Sequence, residues 1–594
     1  MTLSLSRIRA VVIAVLAVSI FGFSWLFRFN DPGGSFAGLT DDHFFYLVRG
    51  WQILFGDLPV RDFVDHGAPL FYYVGAAVQT VFGRGTLPEL VFCTTVLAIG
   101  AAMTFWLATT ASGSIAAGLA GVFVHIWLGP RFYNYPKILS YVAAIPLLFW
   151  FADQPGRWPR ASLAVVTVVA FLFRHDHGAF IAIAMAVLLV TMTGLTWMER
   201  LRHAAIYGVL VLVLIAPYLI FIERNGGMLF YFRQASAWAE RDRDRAPVVW
   251  PGLRDNPDGA SDAARSGSLV TRTIAEVRDN RIAFLYYFEI VLPIFALGVV
   301  WMSRDGFRPG WPQARAKLTM LAVLTIVLEA GFLRSPLEAR LADPSVPLVI
   351  LMSWLLVVSV QLAVSTASLR PWLAIRPWLA RVAVLPMALA CILLCVVITS
   401  RDFHRRLDKA AMVDRWGKMF EQAGNVAGQL RLDWDLHNWE ARPNRPDLIT
   451  LSLYINTCTA PTDRVLVQSY MPQVLALARR AFAGGHADLR PGFFETEEAQ
   501  RLTLSRLQRQ SVPLILLETD ESLRNFRKSF PIIVEYIDRE YRLASTHLFD
   551  GRFGISLFVR RDRQPESTWA PLDWPCYGST GTEAHAAHAW ERIG

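Results

Sequence analysis

The stretch AAIYGVLVLVLIAPYLIFI, residues 204–222, carries no charged side chain from end to end. A helix of roughly 20 apolar residues crosses a bilayer, because backbone amides must bond to one another where no water is present. Ten further apolar stretches lie near 9–27, 87–109, 112–128, 138–151, 161–173, 178–196, 281–301, 317–332, 345–364 and 382–399 of the 594-residue chain. A charged fraction of 18% and a positive mean hydropathy also mark an integral membrane protein. The runs 138–151 and 161–173 are short for a crossing, as suits helices that stop below a wet cavity.

Loop charge sets the expected orientation, since short cytoplasmic loops retain Lys and Arg. With Arg7 and Arg9 inside, the inner turns carry Arg157 and Arg160, Arg200 and Arg202, Arg304, Arg308, Arg315 and Lys317, then Arg370, Arg376 and Arg381. Their acids are few: Asp153, Glu199 and Asp305. Eleven crossings put the N-terminus in the cytoplasm and the C-terminal region outside, as in a bacterial-type inner membrane. The net charge of +9 resides largely in this inner rim, which argues against nucleic acid as a partner. Residues 9–27 end in Phe21, Phe23, Trp25, Leu26 and Phe27, where a cleaved signal needs small residues, so a retained anchor is expected.

The expected fold is therefore an α-helical polytopic membrane domain over 1–400, a soluble α/β domain over 401–563, and a loosely ordered tail over 564–594. In the first external loop, 28–86, the one-sided stretches Asp41–Phe55 and Leu70–Phe82 predict helices lying along the interface. The longest external connection, 223–280, is rich in Arg, Asp, Gly and Pro over Arg241–Asn280 and predicts a lid or a mobile segment. Beyond residue 400 the pattern predicts strands at 464–469, 512–517, 541–548 and 554–559 with helices at 472–482 and 521–538. Cys458 and Cys576 share this external domain, where a bridge is chemically permitted though no spacing rule requires it. Cys93, Cys391 and Cys395 lie in spans as small packing residues, and His585 and His588 have only a weak metal-like spacing.

Four polar clusters fall on the outer side. Asp41 and Asp42 follow the first span, where a shielded carboxylate acts better as a base, with His43 to orient them; a helix N-cap accounts for one of the two acids. Asp62, Asp65 and His66 return in the same loop. Tyr133-Asn134-Tyr135-Pro136-Lys137 offers a lysine that either snorkels to headgroups or pairs with a lipid phosphate. Arg174-His175-Asp176-His177-Gly178 packs four ionisable groups into one turn between spans, a costly placement that is usually functional; an Arg174–Asp176 pair is the plain alternative. Arg334 and Arg340 suit bidentate capture of phosphate, or pair with Glu338 and Asp343. Phosphate loops, nucleophile elbows and Cys-x-x-Cys pairs are absent from the sequence.

The run Asp41-Asp42-His43-Phe44-Phe45-Tyr46, continuing through Gly56-Asp57-Leu58-Pro59-Val60-Arg61-Asp62-Phe63 to His66-Gly67-Ala68-Pro69-Leu70-Phe71-Tyr72-Tyr73, resembles the first periplasmic loop of the GT-C glycosyltransferases. The branch is that of protein O-mannosyltransferases and the lipid A aminoarabinose transferase. Those proteins share an acidic pair after the first span, an aromatic residue a few positions on (here Tyr46), and a G-x-x-P-x-x-D-F turn. Tyr135-Pro136-Lys137 and Arg174–Gly178 also look like features of bacterial members. The resemblance implies inverting transfer of a sugar from a polyprenyl phosphate donor to a hydroxyl on a glycan, lipid or protein at the outer face. It implies Asp41 or Asp42 as base, the two open because two alignments one residue apart fit. Lys137, Arg174, Arg334 and Arg340 are candidates for the leaving phosphate, and His43, Tyr46, Asp62, His66, Tyr135, His175, Asp176 and His177 for lining the substrate site. Certain relatives use a divalent metal such as Mg2+ or Mn2+, but the sequence offers no convincing ligand set. The rival readings are a flippase for lipid-linked sugars and a non-catalytic scaffold in envelope polysaccharide assembly.

Overall fold

The computed structural model describes residues 5–31, 41–245, 250, 252, 280–302, 311–334, 337–364, 387, 391, 394, 401–413, 416–434, 446–549 and 553–577, some of them by backbone alone. They are mostly helical and divide into two compact units. Among the described residues five helices are long and apolar enough to cross a membrane: Arg7–Asn30, Thr86–Ser112, Phe132–Asp153, Trp197–Asn225 and Ile282–Trp301.

One unit comprises residues 1–31, 93–217 and 246–423. Its helices start and stop where backbone chemistry requires. Ser114 caps Ile115–Leu128 by accepting from the Ala117 N–H at 3.3 Å, and Gly129 ends it at φ 62°, a conformation that favours glycine. Pro136 opens Tyr135–Asp153, where its missing N–H does no harm. Small residues allow close packing: a Cβ on Gly121 would lie 2.4 Å from Ser353 Oγ, so Ile115–Leu128 and Ser345–Val364 meet backbone to side chain. Between two of these helices Lys317 Nζ reaches Asp153 at 2.6 Å. The two short runs are longer than their apolar content suggested, Tyr135–Asp153 and Arg157–Phe173, because polar residues at each end continue the helix. The run 382–399 lies outside the described residues except for Met387, Cys391 and Leu394, which are helical.

The other unit comprises residues 32–92, 218–245 and 424–594. Its sheet has the order β2-β1-β3-β5-β4, built from β1 (Arg464–Val467), β2 (Ala481–Phe482), β3 (Leu514–Glu518), β4 (Tyr541–Phe549) and β5 (Phe553–Arg560). β1 pairs in parallel with β2 and β3, and β5 runs antiparallel to β3 and β4. Near-continuous apolar runs form the central strands, and Leu466, Ile515, Leu517 and Phe558 pack on Phe526, Phe530, Ile533 and Ile537. The helix expected over 521–538 is two, Asp520–Ser529 and Pro531–Glu540, since Pro531 cannot continue a helix but can begin one.

Two expectations are corrected here. The connection after residue 223 is not a plain loop: the helix Trp197–Asn225 runs on into it, and Met228–Arg245 forms a second helix after Gly226-Gly227. Residues 246–249, 251 and 253–279 lie outside the described residues. Nor is the chain loosely held from residue 564: β6 (Ser567–Trp569) and β7 (Trp574–Cys576) form a hairpin, and Cys576 is disulfide-bonded to Cys458. Tyr577 N–H donates to the Cys458 carbonyl at 3.1 Å and Tyr454 Oη to that of Pro575 at 2.7 Å, so polar contacts reinforce the clamp. His585 and His588 lie outside the described residues.

Candidate active site

The loop that carries the acidic pair is built on carboxylates doing structural work. Asp41 begins the helix Asp41–Leu54, its side chain outside the described residues. After Gly56, at φ 93°, the chain reverses: Asp57 accepts from Arg464 Nη1 and Nη2 at 2.5 and 3.0 Å and from Gln52 Nε2 at 2.6 Å. Asp62 Oδ2 accepts from the Leu58 N–H at 2.8 Å and from Arg61 Nε and Nη2 at 2.8 and 2.6 Å. Partial burial works against that carboxylate, yet these donors hold its pKa below the ordinary range. Asp65 is saturated: Oδ1 takes the N–H groups of Gly67 and Ala68, each at 2.9 Å, and Oδ2 takes the hydroxyls of Tyr218 and Tyr231 at 2.8 and 2.9 Å.

Asp42 is placed differently, on the first turn of its helix and half-buried, with Tyr470 Oη donating to Oδ1 at 2.6 Å. Burial, then the Asp42 charge, push the Tyr470 phenol well above its usual range, so it stays a proton donor. Arg490 lies over the Tyr470 ring, 4.2 Å from its centroid, and donates to Asp488 at 2.6 Å. Tyr470 is a partner of the candidate carboxylate that the sequence did not single out. It follows β1 at its carboxyl end, the edge at which α/β sheets present ligand-contacting side chains, and that position is the signal that could have found it.

The remaining loop candidates lie in the same unit. Tyr46 stacks on Phe71 with ring centroids 4.3 Å apart, and His66 stands edge-on to Phe45 and Phe494. Burial, then the cationic Arg49, hold His66 well below its ordinary pKa, and the ring is neutral. Arg49 is itself buried under Phe45, 3.4 Å from that ring, and donates to the Phe45 carbonyl at 2.9 Å. His43 is buried with Nε2 3.3 Å from Glu89 Oε1, a partner the sequence reading had not assigned.

In the other unit the basic turns meet one another. Lys137 Nζ donates to Asp343 Oδ2 at 2.7 Å, and Arg174 Nη2 to Asp176 Oδ2 at 2.7 Å. His177 closes the group: its Nε2 lies 3.9 Å from Asp176 Oδ1 and its Nδ1 shares a hydrogen bond with Tyr141 Oη. Tyr135 is fully buried against Phe173, and His175 stacks on Phe171 at 4.3 Å. Gly178 permits the cluster, because a Cβ there would lie 2.5 Å from Phe171 Cβ and 2.9 Å from the Thr167 carbonyl oxygen. Asp343, expected beside the arginines, serves Lys137 instead, while Arg340 Nη1 donates to the Gly331 carbonyl at 2.6 Å. The Arg334 side chain lies outside the described residues.

Comparison with known proteins places two solved structures beside this chain. It is similar to the crystal structure of ArnT from Cupriavidus metallidurans bound to undecaprenyl phosphate, at 13% identity and a TM-score of 0.45, covering 92% of this chain and 97% of that one. For the same protein in the apo state the values are 12% identity and a TM-score of 0.45, covering 93% and 98%. ArnT is a lipid A aminoarabinose transferase of the GT-C type. No family model and no curated protein matches the sequence. At such identity and TM-score the likeness assigns no chemistry to a residue.

Proposed function

We propose that this chain is a multi-pass membrane glycosyltransferase that moves a sugar, with inversion, from a polyprenyl phosphate donor to a hydroxyl acceptor at the outer face of the inner membrane. The observation that carries the reading is the state of the acids in the motif-bearing loop. Asp57, Asp62 and Asp65 are committed to backbone and side-chain donors that fold it, whereas Asp42 stands half-buried on a helix start with a tyrosine hydroxyl to orient it.

In this reading Asp42, or Asp41 beside it, removes the acceptor hydroxyl proton as that oxygen bonds to the anomeric carbon. The bond from that carbon to the phosphate oxygen breaks, the polyprenyl phosphate leaves with the electron pair, and the proton passes from the carboxyl group to water. Lys137, Arg174 and Arg340, with Arg334, are assigned to the leaving phosphate. Lys137 and Arg174 now hold Asp343 and Asp176, so binding the donor exchanges a carboxylate for a phosphate at each. Purified protein incubated with a panel of radiolabelled polyprenyl phosphate sugars should consume one of them in the presence of an acceptor. Consumption of none would overturn the reading.

One observation favours transport of lipid-linked sugars as the second reading. Glu289 and Glu329 are buried on Arg281–Met302 and Ala314–Arg334, and ionisable groups inside spans are a transporter's habit. Movement of labelled donor across vesicles without transfer of its sugar would select it.

A further inference from the structure

The unit formed by residues 32–92, 218–245 and 424–594 contains a half-open cavity that the proposed transfer chemistry does not use. Its walls come from three stretches of chain: Val60, Val64 and Asp65 of the first loop, Phe230 and Gln234 of Met228–Arg245, and Phe494 and Arg506 of the α/β part. Its lining is mostly apolar with a few convergent polar groups, the make-up of a small-molecule site.

The charge on the wall is unusual. Arg506 is 3% exposed, and its Nη2 donates to the carbonyls of Val60 and Arg61 at 2.9 and 3.1 Å. Its Nε and Nη1 are buried and have no hydrogen-bond partner among the described residues. The acids that act on it, Asp62 and Asp57, are bound by Arg61 and Arg464, and Arg509 adds a like charge. Burial, the larger cause, lowers its pKa only to about 10, so it is charged at neutral pH. Asp65 also lines the cavity, but four donors already occupy its oxygens. His486 is held neutral by burial and hydrogen-bonded to Thr503 at 2.9 Å.

A buried guanidinium with idle N–H donors is an incomplete ion pair, since leaving such donors unmade is expensive. The fork of donors suits the oxygens of a phosphate or carboxylate. Phe230, Phe494 and the Gln234 amide supply the aromatic faces and the planar donor and acceptor groups that recognise a saccharide ring.

We propose that this cavity binds a small anionic saccharide, a sugar bearing one phosphate or one carboxylate, through Arg506 Nε and Nη1. The inference goes beyond transfer and needs no donor, so it is tested by binding alone. Calorimetry on the full-length protein in detergent would use glucose 1-phosphate, glucuronate, neutral glucose and inorganic phosphate as probes. Saturable binding of the sugar phosphate or the uronate, at least tenfold tighter than glucose and than inorganic phosphate, is expected. Arg506→Gln should weaken it at least tenfold. Because Arg506 also ties down the first loop, Leu502→Trp, which fills the cavity and leaves the guanidinium in place, should weaken it as much. The same binding should persist in an Asp41→Asn/Asp42→Asn protein, which separates this site from the transfer reading. Absence of saturable binding to the wild type, equal affinity for glucose, equal affinity for inorganic phosphate, or binding unmoved by Leu502→Trp would overturn the proposal.

Discussion

Tyr470 Oη donates to Asp42 Oδ1 at 2.6 Å, and a hydroxyl bonded to a carboxylate is worth roughly 1.5–3 kcal/mol. Tyr470→Phe keeps the ring beneath Arg490 and removes only that bond. We therefore expect kcat to fall roughly tenfold or more with little change in the donor KM, measured by steady-state transfer; an unchanged kcat would remove Tyr470 from the site. Gly178 offers a stability test at the same scale. Any side chain there meets Phe171 and the Thr167 carbonyl, so Gly178→Val should lose about 1–3 kcal/mol and lower the thermal midpoint in detergent. Val60 is a β-branched residue at φ 69°, a conformation it adopts only under constraint, and its neighbours supply one: its N–H bonds the Phe63 carbonyl at 2.8 Å while its own carbonyl takes Arg506.

At the scale of elements, the turn between Arg157–Phe173 and His175–Thr191 joins with Lys137 and Asp343 to make one charged cluster, so its parts should act together on the donor. Lys137→Ala and Arg174→Ala are each expected to raise the donor KM more than tenfold and to leave acceptor KM near the wild-type value; unchanged donor kinetics in both would count against the phosphate role. The five long apolar helices among the described residues and the helix pair in the first loop were legible because apolar runs and one-sided helices follow from solvent exclusion alone. The partners were not. That Lys137 meets Asp343, 206 positions away, or that Tyr470 meets Asp42, 428 away, depends on which elements pack together, and no local spacing encodes it. Asp62 and Asp65 read as functional because acids in a loop beside a membrane look expensive, yet the loop uses them to satisfy its own backbone and two tyrosines. The second helix after Gly226-Gly227 was hidden by charged composition, which disfavours a span but not a helix. Acid should destabilise the α/β part through its buried His486. His486 titrates near 3 in the fold against 6.5 ordinarily, because burial and then Arg506 penalise its charged form. The unfolded chain thus binds the extra proton, so this stability is complete above about pH 6.5 and falls progressively toward pH 3. Thermal midpoints across that window should drop, and His486→Gln should flatten the drop.

For the molecule as a whole, the Cys458–Cys576 bridge closes a loop of 118 positions around the sheet. In the chain-entropy account a loop of that length contributes about 4–5 kcal/mol, so Cys458→Ser/Cys576→Ser should unfold the α/β part at markedly lower denaturant; an unchanged midpoint would leave the bridge without a stabilising role. The bridge is the kind that persists in an oxidising compartment. The proposed transfer rests on the acidic couple at the start of Asp41–Leu54. The direct test is transfer from the consumed polyprenyl phosphate sugar by the Asp41→Asn/Asp42→Asn protein, expressed and folded as the wild type. General-base loss predicts a fall in kcat of roughly a hundredfold to ten-thousandfold. Retention of the wild-type rate would contradict the account.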